Sequence, residues 1–201
     1  MSLDVDVLYK TDDEIRFLNL FKEYVTRDGW QRLLCILRLD TNFFIAPAST
    51  CHHNAYEGGL LQHSLHVCTR LLQLRDTIYL SAESCVICGL LHDVCKADQY
   101  QLAKKWQKDE SGQWKEKLVY VFKDKFPAGH GEKSVMMILP YMQLTEDEQL
   151  AIRWHMGRWD SAANDYIGLQ TLAAAQRISP LVTALHLADQ MATWFDETSY
   201  E

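Results

Sequence analysis

The run Cys85-Val86-Ile87-Cys88-Gly89-Leu90-Leu91, followed at once by His92-Asp93, sets the tightest limit on what this chain can fold into. Uncharged residues all the way round a helical wheel describe a helix with no solvent face, so other elements must surround it. Yet the run delivers an imidazole and a carboxylate into that interior. Neither is stable out of water without a partner. Whatever fold receives this helix must therefore bring other side chains, or a cation, to its end.

The rest of the text is mostly helical in period. Ile15, Phe17, Leu18, Phe21 and Val25 make an i, i+3, i+4 stripe, with Asp12 and Asp13 as candidate caps. Further helices are expected from Trp30 to about Leu37, from Leu60 to Leu74, from Ser81 to near His92 and from Glu132 to about Leu139, where Pro140 stops the last of them. Thr145 and Glu148 have capping-box spacing and should open a helix to about His155, with Gly157 at its end. Two more are expected, over Leu169 to Ile178 and Leu181 to Phe195, the latter behind Ser179-Pro180. Only AKKWQKDESGQWKEKLVYVF breaks this rhythm, and Ser111-Gly112 at its centre predicts a β-hairpin. The expected fold class is all-α, a helical bundle with a short β-hairpin insertion at about 102–122.

A chain of 201 residues suits one domain, here 1–201, and can bury a sizeable core. No apolar run is long enough to span a bilayer, and the acidic start MSLDVDVLYKTDDE carries no signal-peptide core, which predicts a cytoplasmic protein. Its six cysteines lie mostly in apolar helical text and read as reduced and buried, Cys85-x-x-Cys88 included. A net charge of −7 disfavours an extended nucleic-acid surface, but a small anionic substrate stays compatible if a local positive centre receives it. Self-association is equally compatible with this composition.

Candidate metal ligands recur at the ends and turns of the expected helices: His63, His92-Asp93, His130, His155 and Asp189. Each has small or apolar neighbours, and each taken alone reads most simply as a hydrogen-bonded core residue. Together they are a mixed imidazole and carboxylate set, which suits first-row transition metals, or Mg where oxygen dominates. His66 and His186, three residues from His63 and Asp189, read as structural groups or as supports that orient a ligand.

The order His63, His92-Asp93, Asp189 resembles the H…HD…D signature of the HD-domain superfamily of metal-dependent phosphohydrolases. The stretch from His53 through Ala55-Tyr56, Gly58-Gly59-Leu60 and His63-Ser64 is similar to one branch, which includes the HD module of bacterial exoribonucleases and small stand-alone HD hydrolases. FPAGHGEKS and IRWHMG look like the stand-alone group. The likeness covers about 42–194. It implies a helical bundle that holds one or two divalent ions (Mn, Fe, Mg, Ni or Zn) between its helices. In the two-ion form, His63, His92, Asp93 and Asp189 hold one ion, and Asp93 bridges to a second held by His130 and His155. The cyclic-dinucleotide phosphodiesterase branch is disfavoured, because its His-His pair and Gly-Tyr-Pro signature are missing.

By the same resemblance the reaction is hydrolysis of a phosphate ester by water activated at the metal. The substrate would be a nucleotide or another small phosphorylated metabolite. Lys96 completes the family's HDxxK form and is expected to meet the substrate phosphate. His53 is expected near the substrate or as proton donor to the leaving group. Lys133, Arg153 and Arg158 are further candidates for substrate contact, and Trp154, Trp159 and Trp114 for stacking on a base. Two rival readings are an HD-fold sensor without turnover and an RNA-end phosphodiesterase.

Overall fold

A computed structural model describes residues 8–50, 54–108 and 111–198. Its elements are α1 (Asp12–Tyr24), α2 (Trp30–Leu39), α3 (Gly59–Ile78), α4 (Ala82–Leu91), β1 (Tyr100–Lys108), β2 (Trp114–Phe122), α5 (His130–Ile138), α6 (Glu146–Trp154), α7 (Tyr166–Ile178) and α8 (Pro180–Met191). A 3-10 turn, Val94–Lys96, follows α4, and a π-helical turn, Ala192–Asp196, follows α8. The helical bundle with one hairpin is the expected fold. None of the helices among the described residues is long and apolar enough to cross a membrane.

Helix α4 is the central member, as its sequence requires. Every residue from Cys85 to Leu91 is buried, and α4 packs against α1, α3, α6 and α8. The close approach to α3 depends on Gly89, where a Cβ would sit 2.5 Å from Cys68 Cα. That approach brings the end of α4 beside the middle of α3. Around them Phe17, Phe21, Leu33, Leu34, Phe43, Leu60, Leu65, Leu71 and Leu90 are fully buried. Each such side chain contributes about 1.5–3 kcal/mol of transfer free energy, set against the entropy of ordering the chain.

Local chemistry fixes the helix ends. The Thr145–Glu148 capping box is present as expected. At α1 the cap is Thr11, one residue before the expected aspartates: its hydroxyl accepts from Glu14 N–H while Glu14 reaches back to the Thr11 N–H. Asp12 and Asp13 instead occupy the first turn, where they favour the positive end of the helix dipole. Helix α7 begins earlier than the Leu169 expected, because the Asp165 side chain accepts from Gly168 N–H and caps it. Helix α6 ends at Trp154, before Gly157, which takes φ +56° and lies against the His186 ring.

The hairpin is antiparallel, from Tyr100↔Phe122 at its foot to Lys108↔Trp114 near its tip. Its foot is tied down: Lys123 N–H donates to Gln99 O, Gln99 donates to Asp124, and Asp124 pairs with Lys133 of α5. The hairpin therefore leaves and re-enters the bundle between Lys96 and His130 without separating them in space.

The expected last helix departs from the reading at its end. Regular α-helix stops at Met191 and the wider π turn carries the chain to Asp196. Asp196 forms a short two-point ion pair with Arg70 of α3, and Glu197 then turns back onto that helix.

Candidate metal centre

Five helices present a titratable side chain to one cavity. His63 comes from the first half of α3, His92 is the C-cap of α4 with Asp93 next, His130 opens α5, His155 is the C-cap of α6, and Asp189 lies in α8. His63, His92, Asp93, His155 and Asp189 are buried, and His130 is partly so. Helix ends suit this work, because a short side chain there reaches past the cylinder into the space between helices.

The distances sort around Asp93. Its Oδ2 lies 3.4 Å from His92 Nε2 and 3.7 Å from His63 Nε2. Its Oδ1 lies 2.7 Å from His130 Nε2 and 3.4 Å from His155 Nε2. Asp189 Oδ1 is 3.3 Å from His63 Nε2. Three overlapping sets have ligand atoms all within 4.8 Å of one another: His63/His92/Asp93, His92/His155/Asp189 and Asp93/His130/His155. All six expected ligands are thus brought together, with one Asp93 oxygen toward each side.

Backbone carbonyls orient two of the imidazoles. His92 Nδ1 lies 3.0 Å from Gly89 O and His155 Nδ1 lies 2.7 Å from Ile152 O. A carbonyl can only accept, so Nδ1 carries the proton and the neutral ring turns an Nε2 lone pair to the cavity. His186 in turn donates from Nδ1 to His155 O at 2.7 Å. Two features then suit a further group. His155 Nε2 is buried and has no hydrogen-bond partner among the described residues. His63 Nε2 and His92 Nε2 face each other at 3.3 Å, so a proton or a cation has to lie between them. A divalent cation satisfies both, and nitrogen with carboxylate oxygen is an appropriate donor set for one. The residues fit a metal.

Electrostatics point the same way. Burial alone would raise the Asp93 carboxyl, but Lys96, His92 and His130 hold it well below the usual carboxylate range. Asp189 is likewise held low, against burial, by its hydrogen bond to His63 and by the charges of His63, His92 and His155. Burial drives His92 down. His63 is also pushed down by burial, yet Asp189 and Glu197 outweigh this and lift it to about 9. Lys96 Nζ lies 2.6 Å from Asp93 Oδ2; burial disfavours its charge, and Asp93 more than restores it.

Above these groups is a cavity of about 530 Å3. Asp93, Lys96 and Asp189 lie at its base, and its wall includes Met156, Trp159 and Trp194. Trp159 is 75% exposed and Trp194 54% exposed, so both rings stand at the mouth. Of the expected substrate contacts, Lys96 is in this cavity. Lys133 is buried and pairs with Asp124 at 2.6 Å, and Arg153 pairs with Glu132 and Asp160 at 2.6 Å each while lying over the Trp154 ring. Both hold elements together, and neither is among the residues that line this cavity. Arg158 is exposed and also outside the cavity lining. His53 lies outside the described residues. Trp154 is buried and Trp114 is on the hairpin, which leaves Trp159 among the stacking candidates.

Sequence reasoning missed Glu197 and Trp194. Glu197 Oε1 is 3.1 Å from His63 Nδ1 and 3.0 Å from His66 Nδ1, a pairing made by the π turn. A π turn leaves no periodic mark in the text that would have found it.

The HD-domain family model matches residues 60–194. The chain belongs to the HD-domain family. Searches among curated proteins and among solved structures gave no significant match. HD domains generally bind divalent metals and act as hydrolases, in keeping with the ligand geometry of this one.

Proposed function

We propose that this HD domain is a metal-dependent phosphohydrolase that cleaves a phosphate ester of a nucleotide or another small phosphorylated metabolite. The observation that carries the reading is Asp93, whose two oxygens face separate pairs of imidazoles, His63/His92 and His130/His155. A bound divalent ion supplies Lewis acidity, polarising a phosphoryl oxygen and acidifying water. Asp93, His63, His92 and Asp189 would hold one ion, and Asp93, His130 and His155 a second.

The chain's own groups supply the rest. Lys96 is a permanent cation beside Asp93 at the base of the cavity, placed to meet a phosphate as a point charge. Gln190 and Thr193 add hydrogen-bonding groups on the wall. Trp159 and Trp194 give a planar, apolar mouth that suits a nucleobase above the phosphate. His53 is retained as a candidate proton donor to the leaving group. The five described cysteines are free and buried, which supports a reducing, cytoplasmic setting.

The test is metal analysis of the purified protein, followed by a phosphate-release screen over nucleotides, cyclic nucleotides and sugar phosphates. His92→Ala and Asp93→Ala should lose metal and turnover while staying folded. Metal retained with no turnover on any substrate would instead indicate a sensor. Strongly salt-dependent RNA binding with end cleavage would indicate an RNA-end phosphodiesterase.

A further inference from the structure

The imidazoles of the centre are not all supported alike. His92 and His155 donate from Nδ1 to neutral carbonyls one turn back in their own helices. His63 faces a carboxylate that arrives from the far end of the chain. Glu197 Oε1 and Oε2 lie 3.1 and 3.2 Å from His63 Nδ1, and Oε1 lies 3.0 Å from His66 Nδ1. The Glu197 side chain is fully buried. It lies beyond the family-matched segment, which ends at residue 194.

The residues on either side of it help to line the cavity. Thr193 and Trp194, in the π turn, and Thr198, just past Glu197, line that cavity, while Asp196 is anchored to Arg70. One short segment thus does two things: it walls the pocket and it grips the back of a metal ligand. A carboxylate on Nδ1–H fixes the tautomer that turns Nε2 to the cavity, and makes that nitrogen a better donor. Relative to the neutral ring, a cation held at Nε2 would make the Nδ1 proton more positive and strengthen its bond to Glu197. Each event must then favour the other, by the reciprocity of linked equilibria.

We propose that Glu197 is a positioning residue for His63 that couples metal binding to docking of the 192–198 segment, so that the pocket wall is completed when the metal is held. The inference rests on the metal-centre reading above, but its readouts are independent of turnover.

The test uses the full chain, stripped with chelator and titrated with Co(II). Glu197→Leu, which keeps bulk but no acceptor, should weaken Co(II) about 10- to 100-fold and alter its visible spectrum. Glu197→Gln keeps an acceptor for Nδ1–H and should recover most of that loss. In the wild type, Co(II) should slow amide exchange across 192–198, and this slowing should vanish in Glu197→Leu. Wild-type Co(II) affinity in Glu197→Leu, or exchange across 192–198 that ignores metal in the wild type, overturns the coupling. Should the leucine variant fail to fold, the wild-type exchange experiment and the glutamine variant still decide. A wild type that binds no Co(II) would sink the metal-centre reading as well. Metal-dependent turnover with an insensitive Glu197 would sink the coupling alone.

Discussion

Replacing Gly131 by alanine should disable one side of the metal centre without touching any ligand. Gly131 is the second residue of α5, next to His130, where α5 meets α6. A Cβ there would lie 2.2 Å from Arg153 O and 2.6 Å from Ile152 O, whereas ordinary contact begins at 3.4 Å. Both obstacles are helix backbone, so the start of α5 must retreat by about 1 Å. Overpacking of this kind costs about 1–3 kcal/mol, which a domain of this size survives. The centre is less tolerant. His130 Nε2 sits 2.7 Å from Asp93 Oδ1, and Ile152 O is the carbonyl that orients His155. Misplacement by about 1 Å can cost about 100-fold in rate. Elemental analysis should show the metal content reduced, to about half if two ions are held as proposed, with turnover down about 100-fold. Thermal unfolding should show a folded protein. If Gly131→Ala keeps full metal content and full turnover, the reasoning about this close approach is wrong.

If Lys96 meets the phosphate as proposed, Lys96→Met should keep its metal and lose turnover by about 100- to 1,000-fold, because an ammonium is no metal ligand; metal loss in this variant would contradict that role. In the metal-free protein His63 titrates near 9, so at pH 7 a proton occupies the nitrogen the metal needs. Metal binding should therefore release a proton, and affinity should climb with pH until about 9; calorimetry in two buffers of different ionisation enthalpy reads this directly, and pH-independent binding without proton release refutes it. For the metal-free fold the sign is opposite: the raised pKa of His63 gives stability that is fully present below its unfolded value of about 6.5 and lost as pH rises through about 9. Burial lifts the Cys68, Cys85 and Cys95 thiols to about 12, so iodoacetamide at pH 8 should modify them far more slowly in the native than in the unfolded protein, as peptide mass spectrometry would show; equal rates would contradict their burial.

What could be read from the text was what has a period or a marker. The apolar run of α4, the Thr145 capping box, the Ser111-Gly112 turn and the helix-end positions of His92-Asp93, His130 and His155 all carry local signals, and the structure brings these last side chains together with His63 of α3 and Asp189 of α8. Where the text was silent, a tertiary contact decided. Lys133 and Arg153 look like free cations in sequence, but Asp124, Glu132 and Asp160 reach them only after folding. Trp194 lies in the π turn and Glu197 just past it, where the helical period is broken, so no spacing links Glu197 to His63 in the way that spacing links His92 to Gly89. At α1 the miss was smaller: Thr11 and Glu14 meet the capping-box spacing, but the acidic pair between them drew the reading.

The bonds at the foot of the ribbon make it a sealed branch. Strain or bulk introduced high on the hairpin has to pass the Gln99–Lys123 and Lys133–Asp124 ties before it reaches Lys96 or His130. At the tip, a side chain added at Gly112 would meet nothing within 4 Å. A fluorophore or affinity peptide grafted there would ride on the molecule as on a mast, and report on its assembly or capture it on a surface while the cavity below went on as before.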